Sequence, residues 1–116
     1  MMAFPHIYDV NEVDFTNKVV ERSAQCPVLV DFWAQWCGPC LVLGPVLEAV
    51  IEAEHGRIVL AKLEVDDNMR VAGHYRVRGF PTVIGFVDGQ EIARFGSAKP
   101  KRWINEFIAE HFPIAS

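Results

Sequence analysis

Val28-Leu29-Val30-Asp31-Phe32-Trp33 runs through Ala34-Gln35-Trp36 into Cys37-Gly38-Pro39-Cys40. The first six residues are too continuously apolar for a half-exposed strand and suit a central strand covered on both faces. Asp31 is the exception in that run. Cys-Gly-Pro-Cys is turn chemistry opening a helix that continues to about Glu54, with Val42, Val46, Leu47, Val50 and Ile51 expected on its inner side. Pro45 is expected to kink it, because proline removes a backbone donor and clashes with the preceding turn.

Upstream of this stretch, Asn11 followed by Asp14 reads as a helix start, with Val13, Phe15, Val19 and Val20 as partly helical apolar positions running to about Ser23. A turn at Gln25-Cys26-Pro27 separates that helix from the central strand. Downstream, Gly56 ends the second helix, and residues 58–65 read as another largely buried strand whose one awkward charge is Lys62. Asn68 is placed to cap a short helix through Tyr75, after which Gly79-Phe80-Pro81 turns the chain into a strand over residues 82–87. Asp88-Gly89 is a strong hairpin signal, so residues 91–95 are expected to return antiparallel. Residues 99–112 put Trp103, Phe107 and Ile108 at helical intervals and end before Pro113. With a short edge strand near Ile7, the pattern is an α/β fold: a mixed central sheet flanked by helices on both faces.

The chain has 116 residues, which is enough for one continuous core and too few for two, so residues 1–116 read as a single domain. Its net charge of −4 argues against nucleic acid and anionic membranes as partners, since both need clustered Lys and Arg. Residues 1–10 contain Pro5 and Asp9 and lack the basic start and apolar run of a secretory signal. No later apolar run is long enough to span a bilayer. A cytoplasmic monomer is the expectation. Three cysteines cannot close a disulfide framework, and two of them form the C-x-x-C unit, which points to redox chemistry or metal.

A dithiol that exchanges disulfides needs one thiol that ionises near neutral pH and a second close enough to attack the mixed disulfide. Cys37, at a helix start, gains from unpaired N–H groups and the positive end of the helix dipole, and is the expected nucleophile. Cys40, one turn further in, is expected to be more shielded and to resolve. Gly38 and Pro39 set the turn, and Pro39 suits the first turn of a helix because its missing donor is not needed there. A zinc half-site is the rival and fails on ligand count: Cys26 lies across a strand, and His6, His55, His74 and His111 show no ligand spacing. Those histidines read as surface or capping residues.

Phe32-Trp33-Ala34-Gln35-Trp36-Cys37-Gly38-Pro39-Cys40 resembles the active-site signature of the thioredoxin family. The likeness covers nearly the whole chain: Asp31, Pro45, Ala61-Lys62-Leu63 followed by Asp66, Arg78-Gly79-Phe80-Pro81-Thr82, Gly89 and Gly96 all match in order. The resemblance implies reduction of protein disulfides by Cys37 and Cys40, a cis peptide before Pro81, and no cofactor beyond the redox-active pair itself. It implies that Asp31 accepts and donates the proton of the resolving thiol, with Lys62 tuning it. From the residues alone, Asp31 reads equally well as a core carboxylate, its pKa raised by lost hydration. Pro81 likewise reads as a proline at the start of a strand. By resemblance it faces the dithiol, and the backbone of Phe80 pairs with an extended substrate. Trp33, Trp36, Val65, Gly79, Phe80 and Gly96 match family positions around that site; Trp33 and Val65 also fit a core role, whereas Trp36 and Phe80 suit exposed apolar contacts.

Leu41 departs from the pattern, standing where many thioredoxins carry Lys or Arg, which bears on docking of the implied thioredoxin reductase. Cys26 reads as a small residue beside proline, with a regulatory thiol as the alternative. Lys99, Lys101 and Arg102 read as a solvated helix start. The leading reading is a protein-disulfide reductase. Its rival is the thioredoxin-like domain of a redox-linked chaperone that holds clients through mixed disulfides, favoured by Leu41 and by Leu43-Gly44-Pro45. An oxidase or isomerase is disfavoured because Gly38-Pro39 has no histidine between the cysteines.

Overall fold

Val28–Trp33 forms strand β2, whose first five residues are buried as the unbroken apolar run predicts. The computed structural model describes residues 5–113, so the leader reading of residues 1–10 falls partly outside it. With β1 (Ile7–Asp9), β3 (Val59–Glu64), β4 (Thr82–Val87) and β5 (Gln90–Gly96), β2 builds one sheet ordered β1-β3-β2-β4-β5. β1 and β2 run parallel to β3, β4 runs antiparallel to β2, and β5 antiparallel to β4. The mixed sheet and the short edge strand at Ile7 agree with the sequence pattern.

Alternation along the strands divides the apolar residues between two layers. Val28, Val30 and Phe32 join Ala61, Leu63, Ile84 and Phe86 on one face, under Phe15, Val19 and Ala72. Leu29, Leu60 and Val83 lie on the other, under α1 (Gly38–Ala53) and α3 (Lys101–His111). In α1 the buried positions are Cys40, Leu43, Gly44, Leu47, Val50 and Ile51, a true three-and-four spacing. Val42, expected inside, is 64% exposed, and Val46 is only half-buried. The run Leu41-Val42-Leu43 is apolar at every position, so its composition does not set the helix phase; the strand-to-helix turn at Cys37 does. Pro45 lies within α1, which runs unbroken from Gly38 to Ala53.

The first helical segment begins with reciprocal bonds at the predicted residues. Asn11 Oδ1 accepts from the N–H groups of Val13 and Asp14 at 2.8 and 3.0 Å, and Asp14 Oδ1 accepts from Asn11 N–H at 2.8 Å. It then winds loosely with i→i+5 bonds over Thr16–Glu21 and tightens into a 3-10 turn over Arg22–Ala24. Val13, expected on its apolar side, is 94% exposed; Phe15 and Val19 supply the buried stripe instead. Asn68 precedes α2 (Met69–His74) but does not cap it. Its side chain crosses to the first segment, accepting from Glu12 N–H at 2.8 Å, while Glu12 Oε1 accepts from Arg70 N–H at 2.7 Å. The cap thus comes from a residue distant in sequence, which local pattern does not reveal.

Asp88 and Gly89, with φ of 51° and 79°, form the predicted tight hairpin, and buried Ser23 accepts from Gly89 N–H through Oγ at 2.7 Å. α3 starts at Lys101 rather than Lys99 because Pro100 is extended and forms the N-cap position. At its far end Phe112 lies on the backbone of Gly85 in β4, where a Cβ would overlap the ring. Gly85→Ala is therefore expected to lower stability by about 1–3 kcal/mol, measured as the urea midpoint of the oxidised protein; an unchanged midpoint would remove this contact from the packing of α3.

Candidate active site

β2 ends at Trp33, and four residues later Cys37 occupies the N-cap of α1 with extended backbone at φ −97° and ψ 104°. Its Sγ accepts from Cys40 N–H at 3.2 Å, taking up one of the amides that a helix start leaves unpaired. Cys37 and Cys40 are joined by a disulfide with their Cα atoms 5.3 Å apart. Gly38 and Pro39, both exposed, occupy the first helical turn between them. The sulfur residues are 5% and 3% exposed, so shielding distinguishes them only slightly.

The other positions expected around the pair divide into a floor and a rim. Val65, 1% exposed, shares a core cluster with both cysteines, against which Trp33 and Phe80 pack from the side. Trp36 stands at the rim, 66% exposed, donating from Nε1 to both carboxylate oxygens of Asp66 at 3.2 and 3.1 Å. Its ring meets Phe80 edge to face at 5.9 Å. The Phe80–Pro81 bond is cis. Gly79 and Gly96 are exposed, and a side chain at Gly96 would begin 3.7 Å from the Pro81 carbonyl. Cys26 is half-buried and unpaired.

Beneath the dithiol lies a cavity of about 270 Å³ lined by Asp31, Trp33, Cys40, Leu41, Gly44, Pro45, Glu48 and Lys62. Asp31 and Lys62 are register partners on β2 and β3, so their side chains leave the same face of the sheet, toward α1. Asp31 is 1% exposed, and its Oδ1 has no hydrogen-bond partner. Burial pushes its pKa up from the ordinary 3.8 to about 7; Lys62 pulls it down less strongly, and Glu48 adds a smaller upward push. Lys62 Nζ binds Glu48 Oε2 at 2.9 Å and sits 5.6 Å from the Trp33 ring centre. Glu48 was not singled out from the sequence. Its signal was present in the four-residue spacing Cys40, Gly44, Glu48, which places a carboxylate two turns beyond the second cysteine on the same face.

Residues 6–110 match the family model described as Thioredoxin. The chain belongs to the thioredoxin family. It is 38% identical to a thioredoxin of Chlorobaculum thiosulfatiphilum, covering 90% of this chain and 94% of that one. A thioredoxin of Staphylococcus aureus (strain MW2) is 41% identical, with 90% and 97% covered. The mitochondrial thioredoxin of Bos taurus is 41% identical over 82% of this chain, which spans 56% of that longer protein. With the Cys37–Cys40 disulfide at the helix start, membership makes this thioredoxin-family chain a protein thiol–disulfide oxidoreductase. Among the described residues, no group of three or more His, Cys, Asp or Glu is placed to hold a metal, and no helix is long and apolar enough to cross a membrane.

The environment of Asp31 has a thermodynamic consequence. Because its folded pKa is raised to about 7, the folded chain retains a proton that the unfolded chain releases from about pH 4 upward. The stability tied to that proton is complete below pH 4 and is lost as pH rises through about 7. Asp31→Asn, uncharged throughout, is expected to gain stability relative to the parent between about pH 4 and pH 8, by up to about 4 kcal/mol. Urea titrations of both oxidised proteins at the two pH values measure the difference, and a pH-independent gap contradicts the assignment.

Proposed function

We propose that this domain works as a monomeric reductase of protein disulfides, with Cys37 as the attacking and Cys40 as the resolving thiol. The observation that carries the reading is the position of Cys37 at the N-cap of a sixteen-residue helix, where backbone N–H groups favour negative charge on sulfur. In the reduced protein the Cys37 thiolate attacks one sulfur of a client disulfide. The client S–S bond breaks, a mixed disulfide forms, and the released client sulfur takes up a proton. Asp31 then removes the Cys40 proton, and the Cys40 thiolate attacks Cys37 Sγ. The mixed disulfide breaks as the Cys37–Cys40 bond forms, the second client sulfur leaves as a thiolate and takes up a proton, and two electrons have passed to the client. This exchange needs no organic or metallic cofactor.

Trp36 and Phe80 present apolar rings beside the pair, and the Phe80 backbone offers a strand-like edge for an extended client segment, with Gly79, Pro81 and Gly96 leaving room for its backbone. Trp33 and Val65 support that surface from within. Lys62 tunes Asp31. A thioredoxin reductase restores the dithiol, docking on a surface where Leu41 is apolar and 56% exposed. A reducing, cytoplasmic setting suits a chain with one unpaired cysteine beside a redox pair.

A second reading, a redox-linked client holder, draws support from the exposed apolar side chains of Trp36, Leu41 and Val42, which flank Cys37 and Cys40 in the chain. Insulin reduction separates the two. Turnover with dithiothreitol, and then with a thioredoxin reductase and NADPH, is expected of the reductase. Protection of denatured clients with little reductase turnover would transfer the assignment to the holder. Cys40→Ser is expected to accumulate client mixed disulfides visible on non-reducing gels, whereas Cys37→Ser forms none; trapping by the latter variant would reverse the two roles. Asp31→Asn is expected to keep the fold and to slow mixed-disulfide release near neutral pH, by about 10²-fold or more if it acts as general base. Unchanged single-turnover kinetics would remove Asp31 from the reaction.

A further inference from the structure

The cavity under the dithiol holds two carboxylates and one ammonium among its lining residues: Asp31, Glu48 and Lys62. Lys62 is the register partner of Asp31 on the adjacent strand, and its long side chain leaves the sheet on the same face. By position alone, Asp31 is a natural partner for its ammonium. The ammonium nevertheless lies 2.9 Å from Glu48 Oε2, while Asp31 Oδ1 is buried without a hydrogen bond. Gly44, between Cys40 and Glu48 on the helix stripe, leaves open space where a side chain would begin. The Glu48 side chain, one helical turn further on, is 41% exposed and that of Lys62 23%, so their pair sits at the solvent side of the cavity and Asp31 at its buried end.

We propose that Glu48 is a positioning residue for disulfide exchange, drawing the Lys62 ammonium outward so that Asp31 is left without an ion-pair partner beside Cys40. This rests on the reading that Asp31 handles the proton of the resolving thiol. A carboxylate tightly paired with an ammonium is a weak base and accepts a thiol proton poorly. One left unpaired in a buried site is a stronger base, with proton affinity closer to the working pH. Glu48 acts in two ways that add: its own negative charge faces Asp31, and it holds the one cation that would otherwise neutralise it. The charged groups facing Asp31 come from β3 and α1, as Lys62 and Glu48; β4 opposes it with apolar Val83, and Cys40 is the remaining titratable group of the cavity. Leu41, at the mouth, contributes no second cation to relieve the competition.

Glu48→Gln, Lys62→Met and the double variant of the full chain test the proposal. Asp31 protonation is followed in the oxidised proteins by the carboxyl carbon resonance across pH, and mixed-disulfide resolution by single-turnover rates across the same range. Glu48→Gln is expected to lower the Asp31 midpoint by about one pH unit, a tenfold loss of proton affinity, and to move the rate profile with it. Lys62→Met is expected to raise the midpoint. In the Lys62→Met background, Glu48→Gln is expected to have less than about half of its effect, because no ammonium remains to be released. A midpoint unmoved by Glu48→Gln overturns the proposal. So does an equal downward shift with and without Lys62, which would make Glu48 a distant charge and not a positioning group. Should the midpoints shift as expected while the rates stay fixed, Glu48 has no part in the exchange, and Asp31→Asn kinetics show whether the Asp31 reading has failed with it.

Discussion

The exit of the chain from a fully covered strand into the start of a helix is the constraint from which the site follows. β2 is bonded on both sides, to parallel β3 and antiparallel β4, so its direction and depth are fixed by two independent ladders. Four residues after its last position the chain is already at the cap of α1, and the capping side chain is a sulfur. A hydroxyl or carboxylate normally performs that service for the first amides of a helix. Placing cysteine there sets the same unpaired donors against its sulfur, so on the proposed reading of Cys37 as the attacking thiol the element that builds the fold also favours its thiolate.

How much of this was legible depended on whether the information was local. The central strand, the Asp88-Gly89 hairpin and the reciprocal start at Asn11 and Asp14 were readable because each is specified by neighbours in sequence. Val42 turns outward because an apolar residue in an apolar stretch carries no phase; Val13, between Glu12 and Asp14, belongs to the turn closed by Asn11 and not to the helical residues, so helical spacing does not place it. Asn68 was misassigned for a related reason: a good cap residue in a good cap position spends its side chain on Glu12 N–H and the Glu64 carbonyl instead. The Cys37–Cys40 pair at a helix start was legible, because C-x-x-C and its Gly-Pro turn are local, whereas the shielding expected to set Cys40 apart amounts to 3% against 5% exposure. Glu48 was not legible, because a glutamate on a helix usually faces water, and only the cavity brings it against the part-buried Lys62.

The charges under the dithiol illustrate why an awkward residue in a strand carries information. Asp31 and Lys62 each interrupt an otherwise apolar run, and paired across adjacent strands they have the makings of a mutually satisfied buried ion pair. Such a pair would be electrically quiet, with both groups held charged across the physiological range. The fold instead supplies a second carboxylate from α1 and leaves a glycine on the same stripe, so that one cation faces two anions at unequal depth. Burial decides the state of Asp31: at the closed end of the cavity its carboxyl retains its proton up to near neutral pH, while the ammonium of Lys62 lies against Glu48 at the solvent side. Burial and the reach of one lysine thereby leave Asp31 with a raised proton affinity, in the same cavity whose wall Cys40 helps to form.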